Sequence, residues 1–139
     1  MEFQIAIDKR NVTFSNNFRW MLNYKNQFRE DPADFLMECL TNIDELDPED
    51  KKFNAKLMKM ASRIGFIRLS NMAWAMAKAA DKNVPPPPAW VDQFEDYPVM
   101  IFGMDILIAA INSVMGNEIT EDDPKNPEAP GEALNPANQ

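Results

Sequence analysis

The stretch DPEDKKFNAKLMKMASRIGFIRLSNMAWAMAKAADK, Asp47 to Lys82, decides the fold, because its apolar spacing fixes what every other segment must cover. Asp47-Pro48-Glu49-Asp50 combines a capping residue, a first-turn proline and acids placed where the helix dipole favours negative charge. The pattern predicts one long helix over about 48–82. With about 3.6 residues per turn, Phe53, Leu57, Met60, Ile64, Ile67 and Trp74 form one apolar stripe. Met58, Phe66, Leu69, Met72, Ala73 and Met76 form a second stripe beside it. The narrow polar sector holds Lys52, Lys56, Lys59, Arg63 and Ser70. A helix with two sides to bury belongs at the centre of a fold. Arg68 falls inside the apolar arc and must either extend its head to water or pair with an acid.

Immediately downstream, AWAMAKAADKNVPPPPAWVDQF, Ala73 to Phe94, sets four consecutive prolines between two tryptophan-bearing segments. A proline run suits polyproline II, the form read by aromatic-lined grooves, but it equally ends a helix and turns the chain. Asp81-Lys82-Asn83 before it is a helix end in composition, and Ala89-Trp90 starts a new helical pattern over about 89–96. An elbow is the preferred reading. Pro98 then introduces VMIFGMDILIAAINSVMG, an apolar helix over about 99–115 closed by Gly116-Asn117. Asp105 and Asn112 at its middle, and flanks without basic anchors, favour a buried helix over a membrane span.

Upstream, Phe3, Ile5 and Ile7 alternate with polar neighbours, Asp8-Lys9-Arg10-Asn11 is turn-forming, and Val12-Thr13-Phe14 resumes a β-prone pattern. This predicts a hairpin resting on the helices, since an isolated hairpin is marginal in water. Ser15 or Asn16 caps a predicted helix over about 16–28, with Phe18, Met21, Leu22 and Phe28 on its apolar side and Trp20 and Tyr24 beside them. Asp31-Pro32 opens another, ending near Glu45, in which Phe35, Leu36, Cys39, Leu40 and Ile43 recur three or four apart.

From Glu118 onward only Ile119 and Leu134 are large and apolar, which predicts a solvated, disordered acidic tail. The chain of 139 residues, 45% hydrophobic and 26% charged, is thus expected to be mainly α. The expected organisation is a helical domain over residues 1–116, with a short N-terminal β-hairpin, and a flexible tail over residues 117–139.

Composition removes several chemistries. A net charge of -8 opposes unspecific binding to nucleic acid or an anionic membrane. With one cysteine and no histidine there is no disulfide framework, no Cys/His zinc site and no histidine-activated nucleophile. The four scattered glycines form no phosphate-cradling loop. Carboxylate pairs such as Glu45 with Asp47, or Glu95 with Asp96, read as capping and solubility groups. Cys39 reads as a small core residue. No cofactor, metal or catalytic residue is expected, and the short apolar start of MEFQIAIDKR is too brief for a signal peptide, giving an intracellular expectation.

What remains is binding. Between Lys51 and Lys78 there are seven basic residues and no acid, inside a strongly acidic chain. That face is either a solvated helix surface, a site for acidic protein segments or, least favoured, a nucleic-acid site. Ten methionines supply either core filling or an adaptable surface for apolar partner helices. A long two-sided helix in a small domain leaves one side for a partner or for self-association. The candidate partner-facing residues are Met58, Phe66, Leu69, Met72 and Met76, with Lys52, Lys56, Lys59 and Arg63 orienting acidic partner segments.

The order of features resembles the tail assembly chaperones of long-tailed, siphovirus-type bacteriophages of Gram-positive hosts. FRWMLNYKNQF followed by DPADFLMECL fits that layout loosely. RIGFIRLSNMAWAMAKAADKNVPPPPAWVDQFEDYPV is similar to the family's pattern of a helix ending in W-A-M-A-K-x-A-D, a proline-containing turn and a W-x-x-x-F segment. Here these are Trp74, Ala75, Met76, Ala77, Lys78, Ala80, Asp81, Trp90 and Phe94. The layout covers most of residues 1–115, the specific part only about 64–98, and four prolines exceed what the pattern asks.

The resemblance implies a non-enzymatic chaperone that coats the tape measure protein in the host cytoplasm until tail tube subunits polymerise around it, and is absent from the mature virion. It also implies a longer form, made by ribosomal frameshifting, that engages the tail tube protein. Pro124-Lys125-Asn126 can be encoded by CCA-AAA-AAC, which contains a heptamer on which ribosomes slip back. The alternative expectation is a small acidic phage or bacterial regulator that inhibits a host protein by binding it.

Overall fold

The computed structural model describes residues 1–41 and 46–116. Among these it is mostly helical, with a two-stranded antiparallel hairpin at the N-terminus and six helices. The expected tail over 117–139, the slippery-codon residues and the predicted end of the second helix near Glu45 lie outside the described residues.

Strands β1 (Glu2–Ile7) and β2 (Arg10–Ser15) pair with Ile7 opposite Arg10, so Asp8 and Lys9 alone make the turn. Both have positive φ, 55° and 64°, as a two-residue hairpin loop matched to strand twist requires. The predicted alternation holds: Phe3, Ile5 and Ile7 lie toward the body of the protein, and Ile7 and Phe14 are fully buried. Asp8 accepts the Glu95 backbone N–H at 3.0 Å, and Arg10 donates to the Gln93 carbonyl while lying over the Phe94 ring. These contacts dock the hairpin tip.

Helix α1 (Arg19–Phe28) starts three residues later than predicted; neither Ser15 nor Asn16 caps it, and Asn17, just ahead of it, accepts from the Arg19 N–H. Asn16 is buried and donates instead to the Ala109 carbonyl at 3.0 Å. Its inward side is also corrected. Trp20 and Tyr24 are fully buried, whereas Phe18 and Leu22 face solvent. The reason is tertiary: Trp20 Nε1 donates to Ser113 Oγ at 3.1 Å and Tyr24 packs at a tilt against Phe28 and Phe35. Helix α2 (Ala33–Thr41) opens at the predicted signal, with Asp31 accepting from the Ala33 N–H.

The long helix is the main correction. It is two helices, α3 (Phe53–Ile64) and α4 (Phe66–Ala80), separated by Gly65 alone. Gly65 adopts φ 98° and ψ 149°, a region essentially restricted to glycine. It still donates its N–H to Ala61 and accepts from Leu69, so the bend leaves both groups satisfied. A Cβ there would meet nothing within 4 Å, so Gly65→Ala probes the backbone conformation alone. It is expected to lower stability by about 1–3 kcal/mol in urea denaturation. A stabilised variant, as expected for an alanine inside a continuous helix, would contradict the bend.

The start is corrected as well. Asp47 and Asp50 each accept a backbone N–H two residues on, from Glu49 and Lys52, and these local turns hold the chain out of helix until Phe53.

After α4 the elbow is built as the prolines suggest. Asp81 accepts from Asn83 N–H, Lys78 Nζ donates to the Lys82 and Val84 carbonyls, and Trp74 Nε1 donates to the Pro85 carbonyl at 2.8 Å. Pro86 is in the polyproline region, with φ -56° and ψ 158°, and Pro87 and Pro88 form the first turn of α5 (Pro87–Val91). A helix's first turn needs no N–H donors within the helix, so the missing ones cost nothing. The short helix is therefore shifted back from 89–96. Helix α6 (Val99–Met115) has the predicted bounds and ends on Gly116 in the left-handed region. No helix among the described residues is long and apolar enough to cross a membrane.

Central position belongs to α4, which packs against α1, β2, α6, α3 and α5. Helix α1 runs antiparallel to it: Asn23 donates to the Ala75 carbonyl, and Glu30 just beyond α1 pairs with Arg68 at 2.6 Å. Gly103 lets α6 approach α4 closely, since a Cβ there would come within 3.3 Å of Leu69 Cδ1.

Candidate functional site

Residues Lys52, Lys56, Lys59 and Arg63 are spaced four, three and four apart, so at about 100° per residue they share one side of α3. Phe53, Leu57, Met60, Ala61 and Ile64 occupy another side, centred about 100° round the helix, and are buried. The basic row therefore faces solvent, as the pattern predicts. Lys56 is tied to Asp50 at 2.8 Å; Lys52, Lys59 and Arg63 are exposed, and Lys51 precedes them. The Asp50 carboxyl is held below the ordinary carboxylate range, first by the Lys52 backbone N–H and then by the Lys56 ammonium. Because the folded value is depressed, that contribution is present above the ordinary aspartate range and is lost as pH falls through the folded value.

The expected partner-facing apolar set is split. Met58 and Phe66 are 43% and 50% exposed. Leu69, Met72 and Met76 are 0% exposed and belong to the core. Gly65 separates Met58 from the rest, since helical phase does not carry across a residue at φ 98°, while Phe66 is exposed because it stands at the first residue of α4, ahead of the buried Leu69, Met72 and Met76. From Met72 to Ala77 every residue of α4 is buried, because neighbours cover that helix on all sides. Over that stretch neither side of α4 is left open.

One exposed residue escaped the pattern. Ile67, assigned to a core stripe, is 76% exposed and follows Phe66 directly. Gly65 in mid-run was the available signal, since an isolated glycine inside a helical pattern marks a possible break. Between Met58 and Ile67 the surface thus offers Met58, Phe66 and Ile67 as exposed apolar residues, and Lys59 and Arg63 as exposed cations. Met37 and Ile101 are further exposed apolar residues, on α2 and α6.

Arg68 resolves as predicted. Its guanidinium donates through Nε and a terminal nitrogen to both Glu30 oxygens and lies over the Phe35 ring, 5.0 Å from its centroid. Tyr24 also donates to Glu30, at 3.0 Å. Burial first, then the Glu30 carboxylate, pushes the Tyr24 hydroxyl above its ordinary range. The cluster ties the α1–α2 turn to α4 and needs no ligand to be explained.

All three tryptophans are core anchors. Trp74 packs edge-on against Phe28, and Trp90 sits among Phe14, Phe94 and Tyr97, so the two do not form a mutual stack across the elbow. Cys39 is buried as expected, and burial pushes its thiol up to about 11 from 9.0. A raised folded value means that this contribution is complete below the unfolded value and lost as pH rises through the folded one. The urea midpoint is therefore expected to fall between about pH 9 and pH 11, and Cys39→Ala to flatten part of that slope. An unchanged slope in the variant would contradict the assignment.

An open hollow of about 250 Å³ at the entrance to α3 is lined by Pro48, Asp50, Lys51, Phe53 and Asn54. Among the described residues, no group of three or more metal-ligating acids or cysteines is found. The chain matches no protein-family model, no curated protein and no solved structure.

Proposed function

We propose that this chain is a non-enzymatic chaperone of phage tail assembly that covers apolar, acid-flanked helical segments of the tape measure protein. The partner is held soluble in the host cytoplasm until tail tube subunits replace the chaperone. Tail tube contact is assigned to a frameshifted, extended form. One observation carries the reading: Met58, Phe66 and Ile67 are exposed on α3 and α4, whose other large apolar residues are covered, and Lys52, Lys59 and Arg63 are exposed on and just before α3. Such a surface favours amphipathic helices with acidic edges, the apolar groups supplying affinity and the charges orientation. The proposed contact set is Met58, Phe66 and Ile67 with Lys52, Lys59 and Arg63; Leu69, Met72 and Met76 are excluded by burial.

Co-expression with a candidate tape measure protein tests this. The wild-type chain is expected to raise its soluble fraction and to co-purify with it. The triple variant Met58→Ser, Phe66→Ser, Ile67→Ser, folded by circular dichroism, is expected to do neither. A tape measure protein equally soluble alone, or a triple variant that protects it as well as wild type, overturns the proposal.

A further inference from the structure

We infer that the outer edge of β1 is a self-association site: it pairs antiparallel with β1 of a second copy, joining two hairpins into one four-stranded sheet. Backbone parity sets which groups are available. The Asn16 N–H donates to the Met1 carbonyl, and the register places Phe3 opposite Phe14, Ile5 opposite Val12 and Ile7 opposite Arg10. Bonded and non-bonded pairs alternate along an antiparallel ladder, so Met1, Phe3, Ile5 and Ile7 direct their backbone groups at β2. Glu2, Gln4 and Ala6 direct theirs away from it. Among the described residues these outward groups meet no backbone partner, and all three residues are exposed.

The two edges of the hairpin differ. Strand β2 lies against α4, whereas among the described elements β1 packs extensively only with β2. Edges that stay single are commonly blunted by lysine, proline or a bulge. The strand EFQIAI has no lysine and no proline, and its register with β2 runs from Glu2 to Ile7 without a bulge. The open edge is thus a regular template for another strand.

A second copy fits this template because β1 is complementary to itself about Gln4. With Gln4 opposite Gln4 of the second copy, Glu2 falls opposite Ala6 and Ala6 opposite Glu2, so all three outward-directed residues enter bonded pairs and no like charges meet. A slip of two residues one way sets Glu2 against Asp8, two like charges, and the other way carries Ala6 past the end of β1. A slip of one residue sets outward groups against inward ones. On the core-facing side of the sheet, Phe3 falls opposite Ile5 of the second copy and Ile5 opposite Phe3. Both are half-buried at the margin of the core, so the pairing covers apolar surface that a lone hairpin leaves in water. With six residues a side the contact is small, and a dissociation constant on the order of 0.1 mM is expected.

The inference uses neither the cations of α3 nor the chaperone reading, and its test needs no partner protein. Sedimentation equilibrium of the full chain is expected to show monomers in exchange with dimers. Gln4→Glu sets two carboxylates opposite each other at the centre of the pairing, at the loss of only an exposed 3.3 Å bond to Thr13, and is expected to weaken the dimer at least about fivefold. An equimolar mixture of Gln4→Glu with Gln4→Lys is expected to recover it as a mixed dimer, which mere damage to the hairpin would not do. Gln4→Pro removes one outward N–H and none of those bonded to β2, and is expected to abolish the dimer while circular dichroism stays that of the wild type. A wild-type chain still monomeric at about 1 mM overturns the inference. So does a dimer that Gln4→Glu leaves unchanged, which places the contact on another face, or a mixture that fails to recover it. If Gln4→Pro does not fold, the charge-swapped pair decides alone.

Discussion

Trp90→Ala is expected to destabilise the protein by about 3–5 kcal/mol, the largest loss of any single substitution considered. Trp90 is the hub of an aromatic cluster, with ring centroids 6.4 Å from Phe14, 5.2 Å from Phe94 and 6.1 Å from Tyr97. Tyr97 continues the cluster to Phe102 at 5.0 Å and anchors it to α4 through a 2.7 Å hydrogen bond between its hydroxyl and Ser70. Deleting the indole therefore opens a cavity shared by the hairpin, α5 and α6. The hairpin has the least to fall back on. Against a typical domain stability of about 5–15 kcal/mol, such a loss removes a large fraction of the folded margin. Urea denaturation followed by circular dichroism measures it, and Trp90→Phe, which retains a ring, is expected to lose distinctly less. A loss below about 1 kcal/mol for the alanine variant would mean that the cluster does not form in solution.

Met72→Ala is expected to cost about 2–5 kcal/mol, while Phe66→Ala, only six residues earlier on the same helix, stays within about 0.5 kcal/mol. The two residues belong to one stripe in the sequence and to different environments in the fold. Met72 is 0% exposed on the part of α4 that neighbours surround completely, so truncation leaves a void that the packed core fills only in part. Phe66 stands at the first turn of α4, half exposed, where water fills the vacated space at little cost. Equal losses at the two positions would place Phe66 in the core with Met72 and remove it from the contact set. The unequal result supports the smaller contact set Met58, Phe66 and Ile67.

Legibility in the sequence followed the range of the forces involved. Helix α6 is read with its observed bounds because Pro98 and Gly116 punctuate it locally, one unable to continue a preceding helix and the other at ease in the left-handed region. The hairpin is legible because period-two alternation in Phe3, Ile5 and Ile7 meets turn-forming residues after it. The prolines fit the elbow for a similar reason: φ and the missing N–H are properties of the residue itself. Arg68 was also foreseeable, since a cation on an apolar arc has few places to go.

Signals that compete with one another were misread. Asp47-Pro48 looks like a helix opening, yet side-chain turns at Asp47 and Asp50 hold the backbone more effectively until Phe53. On α1, both flanks carry large apolar groups, and only the positions of Ser113, Glu30 and Phe35 decide that Trp20 and Tyr24 turn inward while Phe18 and Leu22 remain outside. Gly65 is the sharpest case, because glycine tolerates both a helical interior and a break.

By itself, then, the sequence determined the helical class, the hairpin, the elbow, the ends of α6 and the basic row on α3. Each follows from properties of residues acting on their nearest neighbours along the chain. Only the tertiary structure decided that α3 and α4 part at Gly65, that Leu69, Met72 and Met76 are core, and that Ile67 joins Met58 and Phe66 at the surface. Burial is a relation between elements distant in sequence. A periodic stripe marks which residues can be covered, and the covering is supplied by helices and strands that the stripe itself does not specify.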